Sequence, residues 1–130
     1  MPPMPVVLHC INDAALTFHV PAKLILSILA TERGKIGQLV KNKNGTYDIG
    51  PMQINSSSLA ELSKYHIQQS DIQFDFCTNV KVGAWMLAKK IAHRNNLLEG
   101  IGDYNSHTPQ FNRNYYTQVR IHFTQINSLL

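Results

Sequence analysis

The chain has only two cysteines, Cys10 and Cys77, with no CxxC pair and no Cys/His ligand spacing, which argues against a zinc site. Its six histidines are scattered, and no HExxH occurs. No metal or other cofactor is therefore expected. Gly34-Lys35-Ile36-Gly37 lacks the glycine spacing of a phosphate-binding loop, and no Gly-x-Ser-x-Gly elbow presents a serine nucleophile. Cys77 lacks any local signature of a thiol nucleophile. Apolar runs such as Leu24 to Ala30 are too short to cross a bilayer. The start, Met1-Pro2-Pro3-Met4-Pro5, shows no basic segment followed by an apolar one, so no secretory signal is visible. A cytosolic protein and a trimmed chain both fit that. Repeats, low-complexity tracts and linkers are also missing, so a single domain is expected.

What is present suits a globular fold with one modest core: 130 residues, 44% hydrophobic and 15% charged. Net charge is +4, from 12 basic and 8 acidic residues. Lys41 and Lys43 form the densest basic spot, but no Lys/Arg run resembles a nucleic-acid arm. The cysteine pair, far apart in the chain, fits one disulfide that would contribute roughly 4 kcal/mol by restricting the unfolded chain. Two buried free thiols are the alternative.

Hydrophobic spacing predicts a mostly helical chain. Val7, Cys10 or Ile11, Ala14 and Phe18 suggest a first helix over roughly 6–19. Pro21 suits the first turn of a second, in which Ile25, Ile28, Leu29 and Glu32 share a stripe before Gly34 closes it. Asn44-Gly45 is a two-residue hairpin signal between Leu39-Val40 and Thr46–Ile49. Ser56 or Ser57 caps a helix to about Tyr65, and Ser70 or Asp71 starts a short turn. Thr78 or Asn79 caps a longer helix to about His93, and Asn95-Asn96 breaks it. Short and long helices near Leu98–Tyr104 and Arg113–Ser128 follow, the last with Tyr115, Val119, Phe123 and Ile126 on one face.

Among the few carboxylates, Asp13 and Glu61 read as solvent-side helix residues, and Asp71 and Asp75 as caps or turns. Glu32 differs. A carboxylate on an apolar stripe is paired, protonated, functional, or else snorkels to solvent from a helix end. Desolvation raises a carboxyl pKa, as a general acid near neutral pH requires. Around it the sequence concentrates neutral hydrogen-bonding residues, including Asn42, Asn44, Gln53, Asn55, Tyr104, Asn105 and Tyr115. Such groups recognise sugars, although polar loops have the same composition.

Ala30-Thr31-Glu32 followed by Asn42-Lys43-Asn44-Gly45-Thr46-Tyr47-Asp48-Ile49-Gly50-Pro51-Met52-Gln53-Ile54-Asn55-Ser56 resembles the transglycosylase SLT domain. The likeness is greatest to the small specialised lytic transglycosylases of secretion, conjugation and pilus systems. That family has a Glu ending a helix and a Gly-x-Met-Gln-Ile-Asn turn. Cys77-Thr78-Asn79 through Leu87 is similar to its segment entering a long helix. Gly102-Asp103-Tyr104-Asn105 is similar to its Gly-Ala-Tyr-Asn motif, and Asn114-Tyr115-Tyr116 to its last. The resemblance covers roughly residues 8–125, leaving 1–7 as an N-terminal extension and 8–130 as the domain.

The resemblance implies a mainly α, lysozyme-like α+β fold of about six helices, with a hairpin or ordered loop beside the cleft. It implies cleavage of peptidoglycan between N-acetylmuramic acid and N-acetylglucosamine, the muramic 6-hydroxyl attacking to leave a 1,6-anhydro end. Glu32 would be general acid and base, Tyr115 would orient it, and Gln53, Asn55, Tyr104 and Asn105 would hold sugar groups. It also implies a Cys10–Cys77 disulfide, a periplasmic or envelope location and a trimmed signal. The expected partners are glycan strands and components of a secretion, conjugation or pilus system, with no nucleic acid. A monomer is expected.

The sequence departs from the family pattern at three places. Arg33 stands where Ser usually follows the Glu and is expected to point to solvent or to anionic stem peptides. Pro51 replaces a bulky residue, and Asp103 replaces a small one and is expected to be a surface charge. Asp48 is open between assisting Glu32 across the cleft and making local hydrogen bonds that hold the Gly50–Asn55 turn. A hydrolytic muramidase and a non-catalytic glycan-binding scaffold are the competing functions.

Overall fold

The computed structural model describes residues 2–127, with the Asn127 side chain outside the description. The elements are α1 (Met4–Phe18), α2 (Ala22–Glu32), β1 (Leu39–Lys41), β2 (Tyr47–Ile49), β3 (Ile54–Asn55), a 3-10 turn (Ser56–Ser58), α3 (Leu59–Ser63), α4 (Gln69–Phe74), α5 (Phe76–Ala92), α6 (Leu97–Asp103) and α7 (Pro109–Asn127). This is a mainly α, lysozyme-like architecture with a small antiparallel sheet of order β1-β2-β3.

Helix α1 packs on α5 and α2 on α7. Their apolar stripes meet in a main core that includes Ile11, Ala14, Ile25, Ile28, Val80, Leu87 and Val119. No single helix among the described residues is long and apolar enough to cross a membrane. A smaller core of Ile49, Ile54, Leu62, Ile72 and Val82 lies against the sheet. Met52 belongs to the main core and is fully buried, so the turn between β2 and β3 is anchored in both. A disulfide joins Cys10 on α1 to Cys77 on α5, with Cα atoms 5.1 Å apart.

Several boundaries differ from the sequence expectation for identifiable reasons. Helix α1 starts at Met4, with Pro5 in its first turn, where a missing N–H costs little, so Val7 is a core residue of the helix. Arg33, not Gly34, takes the left-handed cap of α2, with φ 58°, and its N–H bonds to the Leu29 carbonyl. Gly34 is needed for another purpose: a Cβ there would collide with the Gly50 carbonyl. That close approach sets the end of α2 against the β2–β3 turn.

The hairpin loop spans residues 42–46, since Lys41 pairs with Tyr47. Only Gly45 has positive φ there, whereas a two-residue type I′ turn needs two such residues. Asn55 caps the 3-10 turn by accepting from the Ser57 N–H, and α3 ends at Ser63 rather than near Tyr65. Gln68 and Asp71 form a capping box for α4. Helix α5 starts at Phe76, capped by the Asp75 carboxylate accepting from Thr78 N–H, which leaves Asn79 free for a different task. Asn96 caps α6, and α7 starts at Pro109, a turn before the expected Arg113. Along α7, Tyr115 and Val119 are buried, whereas Phe123 is exposed, so the expected apolar face emerges from the core in its last turns. The expected end at Ser128 lies outside the described residues.

Candidate active site: a carboxyl at the meeting of α2, α7 and the sheet turn

The last residue of α2, Glu32, is half-buried, and its Oε2 accepts a 2.5 Å hydrogen bond from the Tyr115 hydroxyl of α7. Burial pushes the Glu32 carboxyl up to about 7. The Tyr115 bond pulls it down, and the Asp48 charge adds a smaller upward push. Tyr115 is itself raised by burial and by the Glu32 charge, so it stays a neutral donor. Tyr104 stacks on Tyr115 at 6.3 Å between ring centres. Its hydroxyl donates to the Met52 carbonyl at 2.7 Å, tying the corner after α6 to the sheet turn.

A cleft of about 490 Å³ opens beside Glu32. Its walls include Asn42, Asn44, Asp48, Gln53, Ile54, Asn55, Tyr104 and Asn105. A second hollow, of about 290 Å³, shares Glu32 and Asn105 and continues over Phe111, Asn114 and Tyr115. Glu32 thus lines both hollows.

All the sequence-selected residues come to this groove, but they differ in what is left to offer a ligand. Asn105 is exposed, and its amide makes no hydrogen bond to the described residues. Gln53 adopts a left-handed φ of 52°, an uncommon conformation for a residue with a side chain, and its Nε2 donates to the Gly50 carbonyl at 2.9 Å. Its amide oxygen accepts no hydrogen bond from the described residues. Asn55 spends both amide hydrogens, on Asp48 Oδ1 at 3.0 Å and Thr46 Oγ1 at 3.1 Å. Asp48 Oδ1 also accepts from Asn42 Nδ2 at 3.2 Å, while Oδ2 has no hydrogen-bond partner among the described residues. Asp48 therefore does make local hydrogen bonds beside the turn, and one oxygen is left over.

The sequence reading missed several residues that build the site. Asn79 is fully buried, donates to the carbonyls of Ile49 and Ile72 at 3.0 and 2.9 Å, and accepts from Met52 N–H at 2.8 Å. It fastens the Gly50–Gln53 turn to α5. Its position in the Cys-Thr-Asn segment was the available signal, read there as a cap. Asp103 is a correction: it is 4% exposed, not a surface charge. Arg94 binds it at 2.7 and 2.9 Å, Asn112 at 2.8 Å and His107 at 3.2 Å. The Arg94 bonds hold the Asp103 carboxyl below the usual carboxylate range. This network fixes the corner that carries Tyr104 and Asn105. Asn112 fits because Gly102 lacks a Cβ, which would collide with its side chain. Thr31, beside Glu32, bonds His122 Nδ1 of α7 at 2.9 Å.

Among the described residues no group of three or more His, Cys, Asp or Glu could hold a metal ion. The groove brings the raised Glu32 carboxyl together with the Asp48 side chain and many neutral hydrogen-bonding groups.

The sequence is similar to those of known proteins. The chain is 32% identical to invasion protein IagB of Salmonella typhimurium over 100 residues, 76% of this chain and 62% of that protein. The Salmonella typhi protein of the same name matches equally. A peptidoglycan-binding-like protein of Escherichia coli O157:H7 is 28% identical over 132 residues, covering 92% of this chain and 79% of its own length. The chain thus spans about three fifths of the length of the IagB relatives. Residues 9–120 match the transglycosylase SLT domain. The chain belongs to the transglycosylase SLT domain family.

Proposed function

We propose that the chain is a peptidoglycan lytic transglycosylase, cutting the β-1,4 bond between N-acetylmuramic acid and N-acetylglucosamine without water. The observation that carries this reading is the Glu32 carboxyl, raised to about 7 and oriented by Tyr115 in a groove of neutral sugar-binding groups. Near neutral pH a large fraction is protonated and delivers the proton to the leaving glycosidic oxygen. The resulting carboxylate then takes the proton of the muramic 6-hydroxyl as that oxygen bonds to C1, closing the 1,6-anhydro ring. Positive charge on the sugar between these events is met by Asp48, whose Oδ2 has no hydrogen-bond partner among the described residues. Gln53, Tyr104 and Asn105 position sugar groups, and Asn55 acts by holding Asp48.

The Cys10–Cys77 disulfide supports an oxidising envelope compartment, the periplasm. The name of one relative, a peptidoglycan-binding-like protein, supports action on the wall, which would open it locally for a secretion or conjugation apparatus. Mass spectrometry of digested sacculi tests the chemistry. Transglycosylation gives muropeptides one water lighter than hydrolysis does; a product set made only of reducing ends would make the enzyme a muramidase.

A further inference from the structure

Neutral sugar contacts do not account for the one lysine that lines the groove among the described residues. Lys90, in the last turn of α5, lines the groove, as does His107. Lys90 Nζ lies 3.1 Å from His107 Nε2, and His107 Nδ1 lies 3.2 Å from Asp103 Oδ1. The chemistry of these contacts fixes the proton positions. An ammonium only donates, so His107 Nε2 accepts from Lys90, and Nδ1, facing the Asp103 carboxylate, carries the ring hydrogen. One of the three ammonium hydrogens is thereby used and the ammonium is steered by a chain anchored on buried Asp103. Two hydrogens are left for a ligand.

The neighbouring cations are occupied. Lys89 pairs with Glu61 at 2.9 Å and lies over the Trp85 ring at 3.9 Å. Arg94 is shared between Asp103 and Glu99. Elsewhere on the same wall the acidic side chains are Glu32 and Asp48, which offer an anion no positive charge, and the Asp103 carboxylate is already paired with Arg94. An anionic substituent entering this groove is therefore stabilised at one place.

Resting on the proposed glycan cleavage, we propose that Lys90, positioned by His107, is a specificity-determining residue that binds a carboxylate on the lactyl arm of a muramic acid. The carboxylate is the lactyl group's own on strands stripped of stem peptides, or that of the stem on intact strands. The groove then distinguishes muramic acid–containing strands from neutral N-acetylglucosamine polymers.

Binding to the inactive Glu32→Gln protein tests this apart from catalysis. The probes are stripped glycan strands, intact strands, intact strands with amidated stem carboxylates, and a neutral chitooligosaccharide. Adding Lys90→Gln is expected to weaken binding of at least one carboxylate-bearing strand about fivefold at low salt, and to leave the chitooligosaccharide unchanged. Lys90→Arg restores the binding. The strand that responds names the source of the carboxylate, with amidation removing a response due to the stem. An equal loss for every probe, or no loss for any, overturns the proposal. Failure of Glu32→Gln to bind any strand would instead overturn the glycan reading of the groove, and this inference with it.

Discussion

Tyr115, midway along the last described helix, donates a 2.5 Å hydrogen bond to the carboxyl of Glu32, 83 residues away. The bond favours the ionised form, while burial favours the neutral one and prevails, leaving the carboxyl at about 7. With protonated Glu32 as the proposed acid, kcat/KM is expected to fall as pH rises past about 7. Tyr115→Phe removes the downward pull, so this limb moves to higher pH while the plateau drops roughly tenfold from lost orientation. A pH–rate profile checks both parts. A limb moving to lower pH would contradict the assignment.

The same shift links Glu32 to stability. Its folded-state value, about 7, lies above the ordinary 4.5, so the fold favours the protonated group. That contribution is complete below pH 4.5 and is lost as pH rises through 7, amounting to up to about 3 kcal/mol. Glutamine carries no such loss. Glu32→Gln is therefore expected to gain stability over wild type between pH 4 and pH 8, as read by urea denaturation across that range. A difference that does not change with pH would show that the group is not raised.

Asp48 contributes in two ways that a single substitution separates. Its charge pushes Glu32 up, so Asp48→Asn should move the alkaline limb to lower pH. Losing charge opposite the developing cation should also lower kcat by roughly 10- to 100-fold, less than the loss from Glu32→Gln. Near-wild-type cleavage by Asp48→Asn would reduce Asp48 to its hydrogen bonds with Asn42 and Asn55.

Asn79 never touches the groove but holds its floor. Asn79→Ala leaves the Ile49 and Ile72 carbonyls and the Met52 N–H without their partner in a buried site. The expected cost is about 3 kcal/mol in chemical denaturation, with reduced activity as the Gly50–Gln53 turn loosens. A cost below about 1 kcal/mol would mean that the turn is held by Met52 packing alone.

Helical periodicity made the main core legible in the sequence, because Ile25, Ile28, Val80 and Leu87 repeat at helix spacing and are all buried. Glu32 stood out for the same reason, as a carboxylate on that stripe. What periodicity cannot register is a polar side chain whose partners are distant in sequence. Asp103 read as a surface charge because Arg94, Asn112 and His107 reach it only after α6 and α7 fold together. Asn79 read as a cap because its partners lie in the sheet turn and in α4. Arg33 took the cap expected of Gly34, whose closeness to the Gly50 carbonyl is a tertiary fact.

The central claim is that Glu32 carries the proton in both steps of glycan cleavage. Soluble muropeptide release from purified sacculi, measured for wild type and Glu32→Gln side by side near pH 6, tests it most directly. The account predicts release of 1,6-anhydro muropeptides by the wild type and a loss of at least roughly a hundredfold in the variant, with strand binding retained. Release by Glu32→Gln at a rate close to wild type would contradict it.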